Sequence, residues 1–166
     1  RNETIDLKEN VSKIFLNSDA FGFYRTNSKN SNFLFEINEL SSEEKYSIID
    51  DYWALILNGS KNVESFLEFS EKFQNETDPD ILGLLYSCFS NLYRNLEKKS
   101  HLKSVVEKIF KETLQNLDKK TKRSVRETQA LAVSFRAMAI ISENSLVIQK
   151  TKKILEESKL YLITQI

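Results

Sequence analysis

The sequence predicts a mainly α-helical chain: a right-handed stack of antiparallel helical hairpins, preceded by a short β-hairpin remnant. Three observations carry this expectation. Glycine (3) and proline (1) are scarce among 166 residues while charged residues make up 29 %, a balance that suits long helices with solvated outer faces rather than disorder or a β-rich fold. Apolar residues recur at three- and four-residue steps through most of the chain, so they line one face of each helix. Start and stop signals punctuate those runs. The chain accordingly divides into residues 1–39, a strand pair and linker, and residues 40–166, an α-helical domain. Its length suffices for one good core or two small ones.

Residues 1–39 depart from the helical pattern. Val11, Ile14, Phe15 and Leu16 form a β-prone run, Asn17-Ser18-Asp19 is a turn cluster, and Phe21 to Arg25 is aromatic-rich around Gly22. Two short strands are expected there. A lone pair is marginal in water, so it is expected to belong to a sheet whose other strands precede Arg1. The start at Arg1 rather than methionine reads as an excised or processed piece. Phe33 to Leu40 leads as a short helix into the stretch that organises the rest, Leu40 to Gly59. There Ser41 and Glu44 have capping-box spacing, and Glu43 and Glu44 suit the positive end of a helix dipole. Ile48, Ile49, Tyr52, Trp53 and Ile56 share a face and are expected in the core, and Asn58-Gly59 supplies a left-handed stop.

Helix follows helix thereafter. Asn62 caps one that runs through Phe73, with Val63, Phe66, Leu67, Ser70 and Phe73 inward. Asp78-Pro79 is a cap followed by an N1 proline, and Leu82, Leu85, Phe89, Leu92 and Leu96 make the stripe behind it. Ser100 starts a helix whose inner face is Leu102, Val105, Val106, Ile109, Phe110, Thr113, Leu114 and Leu117. From Ser124 the period continues through Thr128, Leu131, Ala132, Phe135, Met138 and Ala139, with small residues that permit close packing. The last helix runs from Leu146 to about Leu162, apolar at Leu146, Ile154, Leu155 and Leu162. Loops of about 2–6 residues make successive helices antiparallel neighbours. Helix pairs of roughly 35–45 residues match armadillo or HEAT-type stacking, without a self-similar motif in the letters.

Formal net charge is zero but unevenly placed: residues 1–83 carry 8 Lys/Arg against 16 Asp/Glu, and residues 84–166 carry 16 against 8. Mutual attraction of two packed halves accounts for this, with an electrostatic partner surface as the alternative. Bases crowd Lys119 to Arg126 without an interleaved aromatic, which points to a solvated helix junction and away from nucleic acid. The single cysteine, Cys88, falls on an apolar helical face and fits a reducing, cytoplasmic setting. No apolar run approaches the ~18 residues needed to cross a bilayer, and neither a signal peptide nor a membrane partner is expected. Sequons at Asn2, Asn58 and Asn75 read as chance in an Asn-rich chain.

The search for chemistry returns no catalytic, cofactor-binding or metal-binding residue. A zinc peptidase helix needs two histidines one turn apart with a glutamate between them, so that both imidazoles face one metal and the carboxylate activates its water. This chain has one histidine, His101, expected at a loop or first helical turn. A Cys88–His101 dyad requires an accessible thiol, and Cys88 is expected in the core. Phosphate-binding glycine loops are missing. Asp50 and Asp51 are adjacent on a helix and point about 100° apart, so they do not converge as an acid/base couple. One is expected to pair with a base and the other to be solvated, and Arg25 is expected to anchor the N-terminal segment to the helical part by a bidentate ion pair.

Several of these pieces occur together in a known order. Leu16-Asn17, Gly22-Phe23-Tyr24-Arg25, Leu40-Ser41, Ile49-Asp50-Asp51 with Leu55, Phe66-Leu67 and Asn75-Glu76-Thr77-Asp78 resemble the C-terminal region of zinc aminopeptidases of the aminopeptidase N family. The resemblance covers about residues 14–160 and is most specific between Asn17 and Asp78. It departs where the family commonly continues G-Y-Y-R with V-x-Y-D and this chain has Thr26, Asn27, Ser28 and Lys29, and where Glu44-Lys45 stands for an acid–arginine pair. The resemblance implies that Gly22 to Arg25 closes a β-sandwich and that the helices form an armadillo/HEAT-like domain. It also implies a parent enzyme that removes N-terminal residues from peptides, with its zinc ligands upstream of this chain. Its partners would be the catalytic and β-sandwich domains of the same parent and the peptide substrates, over which this segment acts as a non-catalytic lid. The alternative is a free-standing helical-repeat module that binds a peptide or protein partner.

Overall fold

A computed structural model describes residues 17–22, 24–26 and 37–164, with 157–164 as backbone only. Among these residues there is no strand, and six α-helices follow one another: α1 Ser42–Leu57, α2 Val63–Ser70, α3 Pro79–Asn95, α4 Ser100–Asp118, α5 Val125–Arg136 and α6 Ser145–Thr164. The 3₁₀ turn Glu71–Phe73 prolongs α2, and a single π turn, Ala137–Ile141, prolongs α5. Helices α1, α3 and α5 lie side by side in one layer, α2 and α4 meet in a second, and α6 docks on the π turn. This is the helical-hairpin stack that the sequence predicts.

The helix ends sit where their signals stand. In α1 the Glu44 N–H donates to Ser41 Oγ (3.2 Å) and the Ser41 N–H to Glu44 Oε2 (3.0 Å). Gly59, at φ 75°, turns the chain out of the helix, a backbone conformation that glycine adopts without a Cβ clash. Asn62 Oδ1 accepts the Ser65 N–H at 2.8 Å, and Asp78 Oδ1 accepts the Asp80 N–H at 2.9 Å ahead of Pro79. Ser124 and Glu127 form a second capping box at the start of α5, whose S-x-x-E spacing was equally legible.

The core is a relay of aromatic rings that crosses both layers. Phe66 of α2 stands 5.8 Å from Tyr52 and 5.4 Å from Trp53 of α1, and 6.1 Å edge-on from Phe89 of α3. Phe89 in turn meets Phe110 of α4 at 6.5 Å. Edge-on and tilted contacts suit the ring quadrupole, so the relay adds to plain burial. All eight residues assigned to the inner face of α4 are buried, as is Cys88.

Several side chains lie elsewhere than their spacing implied. Trp53 and Ile56 are only partly buried, because α1 rests on the other elements through Ile48, Ile49 and Tyr52. Phe69 is buried although it was not assigned inward, since it stacks on Tyr52 at 4.7 Å. In α5 the inward face is Ala130 and Ser134, followed by Ala137, Met138 and Ile141; Thr128 and Ala132 are exposed. Small residues let α5 approach both α3 and α4, and the wider π turn, with the Ser142 N–H donating to Ala137 O at 3.1 Å, carries Met138 and Ile141 inward together. After that turn α6 departs at 120°, so Val147 is buried and Leu146, Ile154 and Leu155 are exposed. Of the expected strand pair, Val11 to Leu16 lies outside the described residues; Phe21, Gly22, Tyr24 and Arg25 run in bends and irregular backbone.

The contrast between Phe66 and Trp53 is measurable. Phe66→Ala removes a wholly buried ring at the centre of the relay and is expected to cost about 3–5 kcal/mol. Trp53→Ala, at a partly buried position, is expected to cost roughly half that. Urea denaturation checks the order, and equal losses would show that the ring relay is not centred on Phe66.

Candidate functional site

Several of the polar residues that carry the resemblance lie around helix α1. Helix α1 has a core face, and its other sides receive the segment 17–26 and the starts of α3 and α5. The segment is shaped by its own sequence. Asn17 Nδ2 donates to Gly22 O at 3.0 Å and the Gly22 N–H donates to Asn17 Oδ1 at 2.6 Å, which closes a small loop. A Cβ at position 22 would lie 2.2 Å from Tyr24 Cε1 and 2.7 Å from Asn17 Oδ1, so a side chain there would displace the exposed Tyr24 ring and the Asn17 amide. Asn17, Asp19 and Ala20 adopt positive φ, and bonds to α1 offset that strain: Ser18 Oγ and the Asp19 N–H both donate to Glu44 Oε1, at 3.1 and 3.3 Å.

One helical face further on, Arg25 Nη1 donates to Asp50 O (2.9 Å) and Asp50 Oδ2 (2.7 Å), and it stands 3.5 Å from Asp51 Oδ1. Asp51 Oδ2 accepts both the Thr26 N–H (2.8 Å) and the Thr26 hydroxyl (2.6 Å). Arg25 thus anchors the segment, though through one nitrogen and not a bidentate fork. The expectation that one carboxylate is solvated is corrected: Asp50 and Asp51 are both engaged, and Asp51 is 6 % exposed. Their side chains diverge at Cα, but Arg25 lies between them and serves both.

The other flank of α1 joins the following repeats. Ser42 Oγ donates to Asp78 Oδ2 at 3.0 Å, and Arg126 Nη2 donates to both Asp78 oxygens and to Asp80 Oδ2, each at 3.0 Å. The starts of α1, α3 and α5 are thereby tied together. Lys45 Nζ reaches Glu76 Oε2 at 2.8 Å, so Glu44 and Lys45 serve different partners and not each other. Glu76 Oε1 accepts the Thr77 and Asp78 N–H groups, and Thr113 Oγ1 of α4 donates to Glu76 O at 2.8 Å. On either side of Arg126 lie grooves of about 560 and 550 Å³, which share Ser42, Asp78 and Arg126 as walls.

Electrostatics follow from these bonds. The Ser41 N–H, with the Asp19 N–H and Ser18 hydroxyl, holds the Glu44 carboxyl below its usual range. Partial burial pushes Asp78 up, but the Asp80 N–H, the Ser42 hydroxyl, the Ile81 N–H and the Arg126 charge outweigh it and leave the carboxyl lowered. Lys120 and the Ser124 N–H draw Glu127 down to about 2. The basic run between α4 and α5 is largely consumed inside the protein: Arg123 donates to the Leu117 and Asp118 carbonyls that end α4, Lys120 pairs with Glu127, and Arg126 pairs with Asp78 and Asp80.

Asn17, Gly22, Arg25, Ser41, Asp50, Asp51, Glu76 and Asp78 thus line two flanks of α1 with polar contacts, and sequence comparison places the chain in a family. The model of the ERAP1-like C-terminal domain matches residues 13–163. The chain belongs to that family. A leucyl aminopeptidase of Saccharolobus solfataricus is 28 % identical over 106 residues, which cover 60 % of this chain and 14 % of the relative. No solved structure matches.

What this ERAP1-like domain can do chemically is hold segments together. Among the described residues no group of three or more His, Cys, Asp or Glu side chains is placed to hold a metal ion. His101 is the second residue of α4; its Nδ1 approaches Glu64 Oε1 at 2.7 Å without an aligned hydrogen bond. Burial pushes the Cys88 thiol up to about 12. It is expected to resist thiol reagents at pH 8 until the chain is unfolded, as followed by colorimetric labelling; fast native labelling would place it outside the core.

Acid should loosen the start of α5. A carboxyl whose folded pKa is depressed stabilises the fold above its unfolded value, and the contribution is lost as pH falls through the folded value. For Glu127 that window runs from 4.5 down to about 2, and solvent exposure keeps the effect modest. The Tm gap between wild type and Glu127→Gln is expected to narrow as pH is lowered across it. A gap constant from pH 6 to pH 2 would assign the difference to packing instead.

Proposed function

We propose that this chain is a non-catalytic C-terminal segment of a zinc-dependent aminopeptidase that removes N-terminal residues from peptides. In this reading it forms a lid and substrate-access gate over the active site, packed against the catalytic and β-sandwich domains of the same cytoplasmic parent. The observation that carries the reading is the family match over residues 13–163, which spans the junction and every helix. The leucyl aminopeptidase relative supports it, and this chain spans 14 % of that protein's length. A stack of helical hairpins suits a gate because neighbouring hairpins pack into one extended surface that can cover an opening. The zinc ligands would come from outside this segment, so no step of the reaction is assigned to its residues.

The purified chain, supplied with zinc and aminoacyl substrates, is expected to turn nothing over. Chelator-sensitive hydrolysis that stays with the chain through purification would refute the non-catalytic reading. The coding sequence upstream of Arg1 tests the parent: an in-frame H-E-x-x-H followed by a further glutamate is expected. Unrelated sequence there would sink the aminopeptidase reading and leave a free-standing module that binds a peptide or protein.

A further inference from the structure

We infer that residues 17–26 are a clasp: Arg25 and Thr26 grip Asp50 and Asp51 firmly enough to hold this segment on α1 without the covalent connection through residues 27–36. The segment and the helical stack then move as one unit. Asp51 is the reason. Among the described residues it is the one carboxylate that is buried, and the hydrogen-bond donors found there come from Arg25 and Thr26. A buried carboxylate stripped of its donors is costly, so release of the segment must be accompanied by rehydration of Asp51. The grip has a second point of purchase at Glu44, one to two turns nearer the start of α1, where Ser18 and Asp19 donate. Two separated anchors along one helix fix direction as well as position.

Thr26 contributes two of the bonds in the grip. Where the aminopeptidase N pattern has valine, the hydroxyl here adds a 2.6 Å bond to Asp51 Oδ2, beside the bond from the Thr26 N–H. The sequence departure therefore tightens the clasp. For gating, the consequence is that motion of whatever precedes Asn17 reaches α1 through side-chain contacts instead of being absorbed in the connection. That consequence rests on the gate reading above; the clasp itself rests only on the contacts.

The test is a nick. A specific protease site placed between Asn30 and Ser31 of the full chain allows cleavage after folding. The two pieces are expected to co-elute on size exclusion at micromolar concentration. In Arg25→Gln and Thr26→Val their dissociation constant is expected to rise roughly tenfold or more, while Thr26→Ser stays near wild type. These substitutions lie outside the helices, and an unchanged circular dichroism spectrum verifies that the stack stays folded. Separation of the wild-type pieces on nicking, or equal affinities across the variants, would overturn the clasp. No activity is read, so failure of the aminopeptidase proposal would show in the assays above and leave co-elution intact.

Discussion

Burial of the Asp51 carboxylate constrains the whole start of this protein. Its neighbours Ile49 and Tyr52 enter the core, and the helical advance of about 100° per residue turns Asp50 and Asp51 toward the other side. A charge at that depth is tolerable only when donors meet it, and the donors lie 25 residues earlier in the chain. The helix that carries the core at one face is thereby obliged to carry the N-terminal segment at another. Gly22, the Asn17 amide and the left-handed turn at Asp19 and Ala20 all serve to deliver Arg25 and Thr26 to that spot.

The same economy governs the start of α3. Asp78 caps its own helix, receives the Ser42 hydroxyl from α1 and pairs with Arg126 from α5. One carboxylate therefore registers three successive hairpins. Along this edge the helix dipoles present their positive ends, which favours acids there and accounts for part of the acidic excess in the first half of the chain. Arg126 and the Lys108–Glu71 bridge at 2.6 Å show the two oppositely charged halves meeting, while Lys150–Asp118 is formed within the second half. The charge asymmetry is thus used at the contact between the halves.

The hydrophobic relay from Trp53 to Phe110 couples α1 to α4, and the polar junction couples α1 to α3, α5 and the N-terminal segment. The chain's ERAP1-like C-terminal domain family match, over residues 13–163, spans both sets of contacts.

What the sequence determined by itself was local. Caps, stops and the inner face of α4 follow from side chains within about one turn of each other, and large aliphatic residues advertise their period. The ordered motif from Asn17 to Asp78 disclosed the family, and its polar residues Asn17, Arg25, Ser41, Asp50, Asp51, Glu76 and Asp78 each meet a partner in the fold. Only the tertiary structure decided which face of α5 is inward. Ala130, Ser134 and Ala137 carry little hydrophobic signal, and their burial comes from how closely two other helices approach them. It likewise decided that Trp53 is only partly buried, that Leu146 points outward after the 120° bend, and that Arg25 serves two acids at once. Those outcomes depend on contacts between residues far apart in the chain, whose geometry no short-range periodicity contains.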